Sequence, residues 1–306
     1  MTSFNHILSE MPLVLFTILA QAVIGLSLVY APAFINGYKN YANLKSFGLA
    51  LGIAMMVAFI PSFFHLNDIT HIFNVLNRMG VFYANNEWHI GWMNNEILFV
   101  SLVCALGFLL YLKTSNWVFY LTLICGILGL FFMSGAYGSM QESVPTWDFK
   151  ITLLYFFASA IFLGAIIYYC FFENSEHERK MSFFTGLIGI GLLSTAIVLQ
   201  TLHVGQTWIM GLVNPFELLG GTYDWFISLS FTFLGLGTVT WHLHNYLHEK
   251  FKSKFFAYFA LLCAFLGVFT TRMLFYGLIK VLKSCWDILN AKISNRYIYQ
   301  FYAKST

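Results

Sequence analysis

Long apolar stretches alternate with short polar segments along almost the whole chain. The apolar runs cover residues 11–31, 46–66, 92–112, 115–136, 149–172, 181–203, 223–247 and 254–280. A helix needs roughly 20 apolar residues to cross the hydrocarbon core of a bilayer. Helices also satisfy their own backbone hydrogen bonds where water is absent. The pattern therefore predicts an all-α integral membrane protein, a bundle of about eight transmembrane helices. Polar segments separate the runs at 36–45, 67–91, 137–148, 173–180 and 248–254. The mildly apolar stretch 203–222 is expected to hold a short interfacial helix. After Lys280 the chain turns polar and aromatic, with Lys283, Lys292, Arg296 and Lys304. The expected organisation is a transmembrane bundle over 1–280 and a polar C-terminal extension over 281–306. The chain shows no internal repeat and no low-complexity tract.

Composition agrees. Of 306 residues, 59% are hydrophobic and 9% charged, against about 25% charged in a soluble domain. The net charge of +3 includes no basic run of the kind that binds nucleic acid. The N-terminus lacks a basic region and a small-residue cleavage site, so the first apolar run reads as a retained span. Of five cysteines, Cys104, Cys125, Cys170 and Cys263 lie inside apolar runs, Cys285 lies in the tail, and no two form a C-x-x-C. They read as small buried hydrophobes. The protein is thus expected to carry no iron–sulfur cluster of its own and no metal.

Eight spans place both termini on one side, side A, and the odd-numbered loops on side B. Side B carries Lys39, Lys45, Lys113, Arg179, Lys180, Lys250, Lys252 and Lys254. Side A carries Arg78 and Lys150 besides the basic tail. Without the tail, the positive-inside rule makes side B cytoplasmic and side A external; with it, the two sides come almost level. Both termini are then expected on the external side.

A charge at a helix centre in the bilayer costs about 2.5–3.5 kcal/mol on insertion scales, so each one needs a reason. Glu96 sits about one turn inside the third span. Arg272 lies late in the eighth, followed by Phe275 and Tyr276. His65 ends the second span, four residues after Pro61, where the missing N–H should bend the helix. Gln200 and His203 end the sixth. By the alternation of spans, all of these fall at side A depth, and Arg78 lies in the loop between His65 and Glu96. Such a convergence predicts a polar pocket at one membrane face, reachable from lipid. Simpler readings stand beside it: a histidine at a helix end is commonly interfacial, and Glu96 and Arg272 could form a structural ion pair. His242, His244 and His248 at the side B end of the seventh span read as interfacial, and Gln21 in the first span as interhelical glue.

A quinol suits such a pocket. It carries two electrons and two protons on a lipid-soluble ring, and its oxidation needs a group that accepts a proton. His and Glu can do this near neutral pH, while Arg stays charged and can hold a carboxylate nearby. A b-type haem would need paired axial histidines from facing helices. Only His65 and His203 share a depth within spans, so no haem is expected, and the electron acceptor should be a partner on side A. The alternatives are a secondary transporter, which usually shows repeats and broken helices, and a di-haem cytochrome b.

These residues also carry a family likeness. Glu10-Met11-Pro12-Leu13 through Phe16-Thr17 and Gln21, Phe63-Phe64-His65-Leu66 followed by Phe73-Asn74-Val75-Leu76-Asn77-Arg78, Asn95-Glu96-Ile97, Val144-Pro145-Thr146-Trp147, and Arg272 through Phe275-Tyr276-Gly277 resemble the membrane anchor subunit of the dimethyl sulfoxide reductase type. This is one of the haem-free anchors that serve molybdopterin reductases. The matches run from about residue 10 to 280. The resemblance implies an eight-helix subunit that oxidises menaquinol to menaquinone. It would pass electrons to a four-cluster ferredoxin-like iron–sulfur subunit, which feeds a molybdopterin catalytic subunit. In the family, the histidine matching His65 and the glutamate of the third span are associated with the quinol site, so His65 and Glu96 are the expected catalytic residues. Arg78, Arg272, Tyr276, Gln200 and His203 would complete the pocket. The sequence departs from the family pattern in three places. The stretch from Arg78 to Glu96 is longer and holds a second acid, Glu87. Ala136-Tyr137-Gly138 stands where a basic region is usual. The tail after Lys280 is an extension.

Overall fold

The computed structural model describes residues 8, 10–37, 41–65, 79–84, 86–141, 144–173, 175–209, 222–247 and 254–302, with 65, 84, 208, 209 and 279–302 described by backbone alone. The helices are α1 (Met11–Ile35), α2 (Tyr41–His65), α3 (Trp92–Leu112), α4 (Asn116–Gly138), α5 (Phe149–Phe171), α6 (Glu176–Ile209), α7 (Thr222–Tyr246) and α8 (Phe255–Tyr302). Each contains a segment long and apolar enough to cross a membrane, eight among the described residues. The protein is an all-α membrane bundle with one small addition, a hairpin of β1 (Val81–Ala84) and β2 (Glu87–Ile90).

Helix α1 is the axis of the bundle. Within its most apolar window 78% of residues are buried in protein, against 22% for α7. Helices α5 and α8 follow at 67% and 61%, so these three form the interior and α2, α3, α6 and α7 present more surface to lipid. In lipid there is little hydrophobic gain from burying one apolar helix against another, and close packing of small residues takes over. Helices α1 and α5 cross at Gly25 and Gly164: a Cβ on Gly25 would strike the Ala160 carbonyl, and one on Gly164 would strike the Gly25 backbone. At face B, where α1 ends, an aromatic cluster closes the bundle. Tyr30 stacks on Phe47 of α2 at 3.9 Å and meets Phe119 of α4 and Tyr168 of α5 edge-on.

Three elements differ from the sequence expectation. Helix α6 begins at Glu176, ahead of its apolar run, because polar residues can extend a helix that hydropathy alone does not see. Ser175 Oγ accepts from the Glu178 N–H at 3.2 Å, acids occupy the first turn where the helix dipole favours them, and Glu176 pairs with Lys180 at 2.6 Å. At its other end α6 reaches Ile209; the rest of the expected interfacial helix lies outside the described residues. The C-terminal extension continues α8 as helix to Tyr302.

The hairpin is the third difference. Val81-Phe82-Tyr83 and Trp88-His89-Ile90 are rich in the β-branched and aromatic residues that favour strands. They pair antiparallel, Val81 opposite Ile90 and Tyr83 opposite Trp88, and the turn has Asn86 at φ +64°. A pair of side-chain hydrogen bonds ties the hairpin to the membrane domain. The Asn95 side chain accepts from the Gly80 N–H at 2.6 Å and donates to the Gly80 carbonyl at 3.1 Å.

The α1–α5 crossing gives a test. Gly164→Leu should abolish a monodisperse, thermally stable protein in detergent. Gly191→Leu, at a glycine with open space beside it, should leave the melting profile unchanged. Equal behaviour of the two variants in size-exclusion chromatography after heating would contradict this packing.

Candidate functional site

Arg272 occupies the middle of the interior, fully buried. Its Nη2 donates to Gln21 Oε1 of α1 at 2.7 Å and to Ser159 Oγ of α5 at 3.3 Å. Gln21 is fixed in turn: Ser159 Oγ donates to its Oε1 at 2.7 Å, and its Nε2 points to Met133 Sδ of α4 at 3.2 Å. The guanidinium lies 4.0 Å from the ring centroid of Phe156 and 4.4 Å from that of Tyr155, cation–π contacts that are strongest away from water. Tyr155 is itself anchored by a hydrogen bond to Thr271. Arg272 Nε and Nη1 have no hydrogen-bond partner among the described residues.

Glu96 is buried in the second turn of α3, 4% exposed. Among the described residues no ion pair joins it to Arg272, so the structural pair weighed from the sequence is not formed. The reason is geometric: the guanidinium is held on the α1–α5 side by Gln21, Ser159 and two rings. Tyr137 of α4 and Tyr276 of α8 lie within electrostatic range of both charges. Their rings meet edge-on at 5.4 Å, and Tyr276 is fully buried. Glu87, the second acid of this region, is exposed on β2. It is therefore Glu96 that the fold carries into the bundle.

Gln200 and His203 do something the sequence did not suggest. They hold the Val144–Trp147 segment, a loop buried between helices whose backbone needs partners. Gln200 Nε2 donates to the Thr146 carbonyl at 2.6 Å, and His203 Nε2 lies 2.7 Å from the Pro145 carbonyl. Trp147 Nε1 donates to the Phe275 carbonyl of α8 at 3.1 Å, and the two rings stack at 5.1 Å. Asp148 then caps α5 by accepting from the Ile151 N–H. The Val-Pro-Thr-Trp element is thus a clasp joining α6 to α8 at face A. Beneath it, Tyr155, Gln200, Tyr223 and Phe275 line a cavity of about 20 Å³, room for a water and not for a ring.

Of the expected site residues, the fold brings Glu96, Tyr276 and Arg272 into one region and places Gln200 and His203 beside it on the clasp. His65 ends α2 at the same face and is described by its backbone, and Arg78 lies outside the described residues. Three participants were not singled out for the site: Tyr137, Tyr155 and Ser159. Their signal was weak, since polar hydroxyls in apolar runs are common. Gln21 reads from the sequence as interhelical glue, and its midspan position was the clue to its partnership with Arg272. Among the described residues no group of three or more His, Cys, Asp or Glu side chains converges in a way that could hold a metal ion.

Comparison with known proteins agrees with this architecture. The sequence matches the family described as DMSO reductase anchor subunit (DmsC) over residues 4–278. It is 29% identical over 198 residues to the C subunit of the anaerobic dimethyl sulfoxide reductase of Haemophilus influenzae, a match covering 63% of this protein and 70% of the relative. It is also 29% identical over 207 residues to the YnfH subunit of an anaerobic dimethyl sulfoxide reductase of Escherichia coli, covering 64% and 70%. The C subunit of the anaerobic dimethyl sulfoxide reductase of Escherichia coli is 31% identical over 170 residues, covering 52% of this protein and 56% of the relative. With its eight membrane-spanning helices and a family match over nearly its whole length, the protein belongs to the DMSO reductase anchor subunit family.

Proposed function

We propose that this membrane anchor oxidises menaquinol at face A and passes the electrons to a four-cluster ferredoxin-like iron–sulfur subunit docked there, which supplies a molybdopterin catalytic subunit. The observation that carries the reading is Glu96: a carboxyl buried inside a membrane span, paired with no cation among the described residues and close to two tyrosines. A carboxyl neutralised by Arg272 would be a structural pair. One left without that partner can exchange a proton with a bound ring.

Oxidation of one quinol releases two electrons and two protons. Glu96 receives a proton from one ring hydroxyl, and His65 at the end of α2 serves the other. Arg272 and Tyr276 supply fixed positive charge and a hydroxyl on the interior side. Gln200 and His203 act at one remove, by holding the clasp and the ring of Trp147 against Phe275. Face A is the periplasmic side of a bacterial inner membrane, and the protons leave there. The terminal acceptor is set by the catalytic subunit.

Glu96→Gln should lower menaquinol-driven reductase turnover by roughly 10²-fold or more, the usual range for a lost proton acceptor. Membrane attachment and activity driven by a reduced dye should persist. His65→Ala should behave alike, and Glu87→Gln should match the wild type. Normal quinol-driven rates in the Glu96 and His65 variants would sink the reading. Gln200→Leu tests the clasp. It leaves the buried Thr146 carbonyl without its donor, a loss of about 1–3 kcal/mol, read as a lower melting midpoint of the detergent-solubilised protein. An unchanged midpoint would mean that the clasp is not under load.

A further inference from the structure

We infer that the β1–β2 hairpin is an interfacial anchor: one of its faces is seated in the headgroup–acyl boundary of the bilayer, and that seat sets the depth at which α3 enters the membrane. This role is independent of the quinol chemistry. Directly opposed residues of an antiparallel pair share a face, as do alternate residues along each strand. The register Val81 to Ile90 and Tyr83 to Trp88 therefore gathers those four residues on one face, and Phe82, Glu87 and His89 on the other. The first face is apolar and open: Val81, Tyr83, Trp88 and Ile90 are 62%, 59%, 73% and 41% exposed. The rings of Tyr83 and Trp88 meet edge-on at 5.2 Å across it. On the second face Phe82 and His89 are half-buried and stack at 5.6 Å, and Glu87 supplies the charge.

A strand pair facing water usually turns its polar residues outward, and a two-stranded hairpin alone in water is marginally stable at best. This one turns its apolar residues outward, so the open face needs an apolar surface to rest on. The bilayer lies at the right level. Asn95, the fourth residue of α3, holds Gly80 through both of its side-chain hydrogen bonds, and the Gly91 N–H donates to the Gly80 carbonyl at 3.0 Å. The root of the hairpin is thereby fixed at the first turn of a spanning helix, where the hydrocarbon begins. Met93 in that turn is 63% exposed, and exposed apolar positions continue along α3 at Leu102 and Leu109, which face lipid in a spanning helix. Exposed apolar side chains thus run without a break in kind from Trp88 and Ile90 into a surface already committed to lipid. The residue types select the depth. Trp and Tyr join an apolar ring to a polar tip and collect at the membrane–water boundary. The free strand edges are barred from the hydrocarbon core, where their N–H and C=O groups would find no partners; at the boundary water still reaches them. A docked protein also accepts aromatic residues, but the open face carries no charged or amide group to orient one. Interfacial aromatic side chains set the tilt of the helix they belong to, and here Asn95 is the joint that passes their position to α3.

The test is spin-label accessibility on the full-length protein in phosphatidylcholine nanodiscs. Nitroxides are coupled through p-acetylphenylalanine in place of Val81, Trp88 or Glu87, one at a time, so the native cysteines stay as they are. At Val81 and Trp88, relaxation by oxygen, which concentrates in lipid, should exceed relaxation by a water-soluble nickel chelate. At Glu87 the order should reverse. Depth is read on α3 itself: combining Tyr83→Asp with Trp88→Asp should move a label in place of Met93 away from oxygen and toward nickel. An unmoved Met93 label would overturn the claim that the hairpin sets the depth of α3. Nickel dominance at both Val81 and Trp88 would overturn the anchor, and loss of that nickel access on adding the iron–sulfur and catalytic subunits would make the face a protein docking surface instead. Weak relaxation by both reagents at these positions would mean that the protein itself covers the face, which also overturns the inference. None of these outcomes bears on quinol oxidation, which the Glu96 and His65 variants test separately.

Discussion

A guanidinium at the centre of a membrane protein dictates what surrounds it. Arg272 has no carboxylate to neutralise it among the described residues, so its charge must be dispersed over dipoles and ring faces. Gln21 supplies a carbonyl oxygen from α1, Ser159 a hydroxyl from α5, and Tyr155 and Phe156 two aromatic faces. These groups sit on separate helices that must approach closely, which the glycine crossing of α1 on α5 permits. The three most buried spans are the three that serve this one side chain. Lipid-facing helices are then added around a core whose register is fixed by polar contacts, while packing of apolar residues supplies bulk and little direction.

Commitment of Arg272 to the interior leaves Glu96 without a paired opposing charge among the described residues, and this division of roles gives face A its chemistry. One ionisable group organises the helices, and in the proposed function the other is spared for exchange with a ligand. Tyr137 and Tyr276 lie within electrostatic range of both. In the proposed quinol reaction this matters because a proton acceptor locked in an ion pair would be a poor base, whereas one standing near a fixed positive charge without touching it keeps its freedom. The clasp closes the same face from the other side, linking α6 and α8 through the backbone of Pro145 and Thr146.

Hydropathy over about 20 residues is the constraint that lipid imposes, and it made the helices easy to read. Alternation of spans placed Glu96, Gln200 and His203 toward one end of the bundle, and Arg272 reaches from the late part of α8 to the midspan Gln21. Neither signal could say which polar groups meet. Glu96 with Arg272 was the natural pair by charge, yet Gln21, 251 positions away from Arg272, holds the guanidinium. Nor did charge or hydropathy reveal that Gln200 and His203 bind a loop backbone, because a carbonyl acceptor leaves no mark in the identity of its residue. The polar start of α6 and the hairpin were missed for a related reason: both lie outside the apolar runs. The hairpin could have been found from the strand-favouring residues in Val81-Phe82-Tyr83 and Trp88-His89-Ile90.

That hairpin is joined to α3 through the side chain of Asn95, the residue directly before Glu96. The attachment makes it a handle. The strands are bonded through Gly80 to the turn that carries the buried carboxyl. No flexible linker intervenes, since the Gly91 N–H also bonds to the Gly80 carbonyl. The position of the strands is therefore set by the opening turns of α3, one residue from the buried acid.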